Sequence, residues 1–306
     1  MTSRRRLYMQ RALLAIGATL LTLALIEGAA RLWGVRGVLL GPSSANCLDR
    51  DPALGRVFRP NCYGSLVGTT FHTNALGLRG AMPRPGARRI LALGDSSTWG
   101  WRVNDDETYP ARLQALLDQR RAPQRWDVLN AGVPGWTSYQ GLGYLREQGL
   151  AFHAEIVIVS FGFNDTSDDL GDIEERLARD RELLPLLRID DLLLEHSSAY
   201  RFARWQAQRL TPAHLPLRVP PDKYRANLTE IFRLIVDSGA RPVLVKMSHL
   251  PLGAYWEAER QAREAYVVQG VLYQGPRLDV IHPTAEGDQQ LATQIADLLK
   301  EQGYLE

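Results

Sequence analysis

The chain has 306 residues, 45% of them hydrophobic and 23% charged, enough for one large domain with extensions around an ordinary globular core. A net charge of +2, with no long basic stripe interleaved with aromatics, gives no nucleic-acid footprint. Prolines and glycines are scattered along the chain, which excludes a low-complexity linker or a short-period repeat.

At the amino terminus Arg4, Arg5, Arg6 and Arg11 precede an uncharged stretch, 12–26, that ends at Glu27 and Arg31. The stretch alone is shorter than the roughly 17–25 residues of a bilayer span. Flanks from Leu7 to Trp33 supply the length if Arg11 snorkels. Glu27 and Arg31 read as the polar exit of a helix continuing to Trp33, so 1–34 is expected to be an uncleaved, single-pass signal anchor. Two other readings stay open. One is a signal peptide cleaved near Gly28-Ala29-Ala30, with Ser3-Arg4-Arg5 faintly similar to a twin-arginine export signal; the other is a buried core helix. The leading arginines place the remainder outside the cytoplasm, on the periplasmic side of a bacterial cell.

Residues 35–87 are irregular and punctuated by prolines, and read as an accessory segment. A strand and turn are suggested by Phe71-His72-Thr73-Asn74 and Leu76-Gly77-Leu78-Arg79-Gly80. Cys47 and Cys62 are the only cysteines, with no zinc-ligand spacing around them. In an oxidising compartment they would form a disulfide, worth roughly 3 kcal/mol by chain entropy; two unpaired thiols are the alternative.

From residue 88 to 306 a regular pattern appears. Apolar runs at 90–93, 127–131, 156–161 and 243–247 have the length and branching of buried parallel strands. Helical patterns fall at 108–121, 138–149, 222–238 and 284–302. The alternation predicts a three-layer α/β/α parallel sheet. Residues 168–216, with short helical patterns near 172–184 and 198–209, read as a helical insertion or lid. Asp165, Asp168, Asp169 and Asp172 lack a calcium-loop spacing and read as a solvated helix entrance.

Three of the strands end in chemistry. Gly94-Asp95-Ser96-Ser97-Thr98 follows the first, placing a serine at the carboxyl edge of the sheet. A serine needs a base to take its proton. Asp279-Val280-Ile281-His282 offers a histidine with a carboxylate three residues away to hold its tautomer. Asn130-Ala131-Gly132-Val133-Pro134-Gly135 and Gly162-Phe163-Asn164-Asp165 follow the next two strands and offer amide donors for an oxyanion. Trp99 and Trp101 either wall a pocket or pack a helix start, and His249, after the fourth strand, is a weak further candidate.

These blocks, in this order, resemble the SGNH hydrolase superfamily, the group around GDSL esterases and lipases. The resemblance covers about 88–300 except the insertion, with Ser97 where the GDSL name has leucine. It implies a flavodoxin-like fold, Ser96 as nucleophile, His282 as base and Asp279 as its orienter. It further implies an oxyanion hole of the Ser96 amide, Gly132 and Asn164. The expected activity is a metal- and cofactor-free serine esterase acting on O-acyl groups of an extracytoplasmic carbohydrate or lipid. The alternatives are an O-acyltransferase for an exported polysaccharide and a non-catalytic carbohydrate-binding or assembly protein. No Gly-x-Ser-x-Gly elbow, P-loop or dinucleotide fingerprint competes with this reading.

Overall fold

The computed structural model describes residues 3–32, 47–66, 69–119, 125–208, 215–247 and 253–306. Trp33, His214 and His249 lie outside them. The chain divides into two compact units, Met1–Ser43 with Pro185–Pro212 and Ser44–Leu184 with Ala213–Glu306.

Helix α1 (Ser3–Leu32) is rich in alanine and leucine, strong helix formers, and is apolar on all sides rather than along one stripe. Its stretch Arg5–Leu32 is long and apolar enough to cross a membrane, and its most apolar window is not buried in the protein. After Cys47 come two antiparallel hairpins, β1 (Leu48–Asp51) with β2 (Gly55–Phe58) and β3 (Tyr63–Leu66) with β4 (Thr69–His72). Strands of 4 residues are too short to show a clear alternation, which is why most of this segment reads as irregular. Cys47 and Cys62 are disulfide-bonded, with Cα atoms 5.8 Å apart.

The regular pattern then begins with β5 (Arg88–Gly94), α2 (Ser96–Trp99), α3 (Tyr109–Asp118), β6 (Trp126–Gly132), α4 (Ser138–Glu147) and β7 (Ile156–Ser160). It continues through α5 (Ile173–Glu182), α6 (Leu184–His196), α7 (Ser198–Gln208) and α8 (Pro221–Asp237). It ends with β8 (Arg241–Lys246), α9 (Ala254–Tyr266), β9 (Gln269–Leu272) and α10 (Ala285–Glu301). All five strands from β5 onward are parallel, in the order β6-β5-β7-β8-β9.

Alternate strand residues serve the two faces. Ile90, Ala92, Ile156, Ile158, Val243 and Val245 pack with Leu113 of α3 and Leu291 and Ile295 of α10. Leu91, Leu93, Val157, Val159 and Leu244 pack with Leu145 of α4, Phe232 of α8 and Ala262 of α9. Burial on both faces makes the central strands continuous apolar runs in the sequence. Three elements carry no such signal. Edge strand β9 is half-buried and begins with Gln269-Gly270; α9 is crowded with charge; α6 fills the gap between the two helices the insertion suggests.

Strand order reverses between β5 and β7, the crevice where open α/β sheets hold their sites. Gly94 pairs with Gly132 on β6 and with Ser160 on β7, so three loops leave the sheet at one level.

Candidate active site

The strand-to-helix turn after β5 is a tight fit. A Cβ on Gly94 would lie 2.1 Å from Thr98 Oγ1 and 2.7 Å from the Ser160 carbonyl, so only glycine passes. Asp95 then caps α2 by accepting from the Ser97 amide at 2.9 Å. Ser96 is the first residue of the helix, and its amide meets no acceptor among the described residues. Its Oγ lies 2.7 Å from His282 Nε2.

His282 is held by its own loop. Its Nδ1 is 2.7 Å from Asp279 Oδ2, while Asp279 Oδ1 accepts from the backbone amides of Ile281 and His282, each at 3.0 Å. With Nδ1–H donated to the carboxylate, Nε2 is left to accept the Ser96 hydroxyl proton. Burial pushes the Asp279 carboxyl up, but its hydrogen bonds from the His282 side chain and backbone and from Ile281 outweigh that, and the net shift is down. The two tryptophans part company here. Trp101 stacks on the imidazole, ring centres 5.5 Å apart. Trp99 is core, stacked on Phe58 at 3.9 Å and edge-on to Phe71 at 4.8 Å.

The amide groups sort differently from the sequence expectation. Asn164 Nδ2 donates to the Trp136 carbonyl at 3.0 Å and to Asp95 Oδ2 at 3.3 Å, so its carboxamide stands beside the nucleophile's turn. The Gly132 amide, expected as an oxyanion donor, is already spent on Asn130 Oδ1 at 3.0 Å. Its lack of a side chain has another cause: a Cβ there would fall 2.2 Å from the Trp99 amide nitrogen. Gly135 fits the donor role better. It sits in the left-handed region at φ 81° with open space beside it, and its amide has no acceptor among the described residues. Pro134-Gly135 is a visible turn signal, but nothing in the sequence separates its role from that of Gly132.

Two buried arginines brace this edge, and a lone arginine in a turn-rich stretch carries no pattern to reveal it. Arg218 Nη2 donates to the Gly135 carbonyl at 2.7 Å. Arg79 donates to the carbonyls of Trp99, Gly100 and Val103 at 2.8, 2.9 and 2.8 Å and pairs with Asp105 at 2.7 Å, fastening the loop that carries Trp101. Beneath them, Asp165 accepts from the amide and hydroxyl of Ser138 at 3.0 and 2.5 Å. Burial pushes the Asp165 carboxyl up to about 6. It pushes Asp95 up to about 7, with the neighbouring charge of Asp165 adding to the rise. Burial also pulls the Arg218 guanidinium down to about 10, with Arg176 adding to the fall and Asp165 opposing it.

Asp172 of the acidic cluster caps α5, accepting from the Glu174 and Glu175 amides at 2.9 and 3.2 Å. Among the described residues no group of three or more His, Cys, Asp or Glu is placed to hold a metal.

Residues 92–290 match the GDSL-like Lipase/Acylhydrolase family, and the chain belongs to this family of ester-bond hydrolases. No curated protein matches it in sequence. Solved structures similar to it include TesA, at 16% identity over 70% of this chain and 99% of that one, with a TM-score of 0.47. A lipase/acylhydrolase from Enterococcus faecalis is similar at 17% identity, 70% and 96% coverage and a TM-score of 0.46. A mutant of Axe2, an acetyl-xylooligosaccharide esterase from Geobacillus Stearmophilus, is similar at 18% identity, 71% and 94% coverage and a TM-score of 0.45.

Proposed function

We propose that the chain is a membrane-anchored serine esterase whose catalytic unit lies outside the cytoplasm and removes O-acyl groups from a carbohydrate or lipid. The observation that carries this reading is the unbroken relay from Ser96 Oγ to His282 Nε2 and from His282 Nδ1 to Asp279 Oδ2, 2.7 Å at each step.

In this reading His282 takes the Ser96 proton as Oγ attacks the ester carbonyl, and Asp279 stabilises the imidazolium that forms. The tetrahedral oxyanion is met by the Ser96 amide, by the Gly135 amide in place of Gly132, and by Asn164 Nδ2, which exchanges its long 3.3 Å bond to Asp95 for the oxyanion. His282 gives its proton to the departing alcohol, leaving an acyl-Ser96. Water, deprotonated by the same histidine, then attacks the acyl carbon; the acid departs and Ser96 Oγ recovers a proton. No metal or organic cofactor enters any step.

The anchor reading is supported by the apolar helix behind an arginine cluster, and the extracytoplasmic address by the Cys47–Cys62 bond. The test is acyl release from acetylated sugars and from aryl esters of graded chain length. Wild type is expected to release acid from at least one class and Ser96→Ala from none. Release by Ser96→Ala at the wild-type rate would end the proposal.

A further inference from the structure

We propose that helix α6 is an in-plane bilayer-docking surface, lying with its apolar face in the outer boundary of the membrane that α1 crosses. This rests on the anchor reading of α1 given above.

The first observation is the surface of α6. Leu186, Ile189, Leu192 and Leu193 are 63%, 55%, 56% and 40% exposed. At 100° per residue they fall within an arc of about 120° that holds no Asp, Glu, Lys or Arg and, at its last turn, the exposed His196. Outside the stripe Leu194 is buried, and Asp190 accepts from Tyr200 Oη at 2.6 Å and pairs with Arg204 at 3.1 Å, both on α7 of the same unit. An apolar exposed stripe flanked by a polar, bonded face is the pattern of a helix at a membrane interface.

The second observation says which apolar phase covers the stripe. The end of α1 that would leave the bilayer is fastened to the α6–α7 turn. Glu27 accepts from Ser197 Oγ at 2.8 Å and from the Ser198 and Ala199 amides at 2.9 and 3.0 Å, so its carboxylate caps α7. Arg31 pairs with Glu27 at 2.7 Å and donates to the His196 carbonyl, the last residue of α6, at 3.3 Å. The carboxyl end of α6 is thereby tied to the exit of a helix whose apolar window is itself unburied. Phe202 and Trp205, ring centres 5.8 Å apart on α7, add an aromatic pair of the kind found at headgroup level. The same bonds give α1 a structural use beyond export. Cleavage after Ala30 would remove Glu27 and uncap α7.

The experiment uses the full chain in phosphatidylcholine vesicles. Both native cysteines are bonded to each other, so one introduced thiol takes a single environment-sensitive fluorophore. Three variants are compared: Ile189→Cys on the stripe, Arg188→Cys beside it, and Leu20→Cys in α1. The docking surface predicts a blue-shifted probe at position 189, quenched by nitroxide on a shallow acyl carbon and several-fold less by aqueous iodide than the probe at 188. Equal iodide quenching at 188 and 189, with position 20 shielded, overturns the docking surface and leaves the anchor standing. Iodide access at position 20 as well overturns the anchor reading itself. A probe at 189 shielded from both quenchers, with disulfide-linked dimers of unlabelled Ile189→Cys, overturns the proposal in favour of a second copy of the chain on this face.

Discussion

The two halves of the proposed catalytic relay are built in opposite ways. Ser96 sits on a shelf that belongs to the fold: three register-matched strand ends, two glycines that admit no Cβ, and two buried arginines holding carbonyls. Asp279 and His282 sit on a loop shaped largely by its own contacts among residues 277–283, with Leu278 and Val280 exposed, and tied to the body by buried Ile281 and by Arg277 donating to the Met247 carbonyl at 3.1 Å. A nucleophile and oxyanion donors must be placed to fractions of an ångström before the substrate arrives, and the sheet edge supplies that. A base needs one tautomer and one direction, and a carboxylate three residues away supplies both.

The contrast can be sharpened by removing one part of the shelf at a time. The largest loss is expected from Asn164→Ala, which deletes the proposed side-chain donor to the oxyanion. The kcat should fall by roughly 10²–10³, about 2.7–4 kcal/mol of transition-state stabilisation, while Ser96 stays modifiable. An unchanged kcat would reduce Asn164 to a turn residue.

A smaller effect is expected at Arg218, which touches no reacting atom in this account but holds the Gly135 carbonyl. Arg218→Met keeps the bulk and loses that bond. A misplaced donor should lower kcat by about 10- to 100-fold with KM little changed, and Arg218→Lys should recover part of it. A fall in KM-dependent binding alone, with kcat intact, would remove Gly135 from the oxyanion hole.

The smallest effect concerns the carboxyls under the shelf. Burial raises Asp95 to about 7 and Asp165 to about 6, above the unfolded value, so between about pH 4 and 7 the folded state binds protons that the unfolded chain has released. Their contribution is therefore greatest below pH about 4 and is lost as pH rises toward 7. Asp95→Asn retains an N-cap for Ser97 and removes one titration. Thermal melts from pH 4 to 7 should show a shallower fall in Tm for the variant than for wild type. Parallel melting curves across that range would contradict the burial argument.

What could be read from the sequence follows the same division. Strands buried on both faces announce themselves as apolar runs, so β5 to β8 were legible, and with them helices α3, α4, α5, α7 and α8. The ends of those strands bring Ser96 and Asn164 to one edge, and the short spacing of Asp279 and His282 brings them together within one loop. Gly132 and Gly135 cannot be told apart in the sequence because two glycines three residues apart can serve different physical needs. One admits a passing helix and the other frees an amide, and only their neighbours distinguish them. Arg79 and Arg218 were invisible because each binds carbonyl oxygens, which every residue possesses. The helix α6 has no boundary in the sequence because its leucines merge with those of flanking segments, and its exposed stripe is a property of packing.

The measurement that bears most directly on the account is mapping of a fluorophosphonate adduct in wild type beside His282→Ala. The relay predicts one adduct, on Ser96, forming rapidly in wild type and far more slowly when the base is gone. An adduct on Ser97 or another serine, or equal labelling rates in the two proteins, would contradict it.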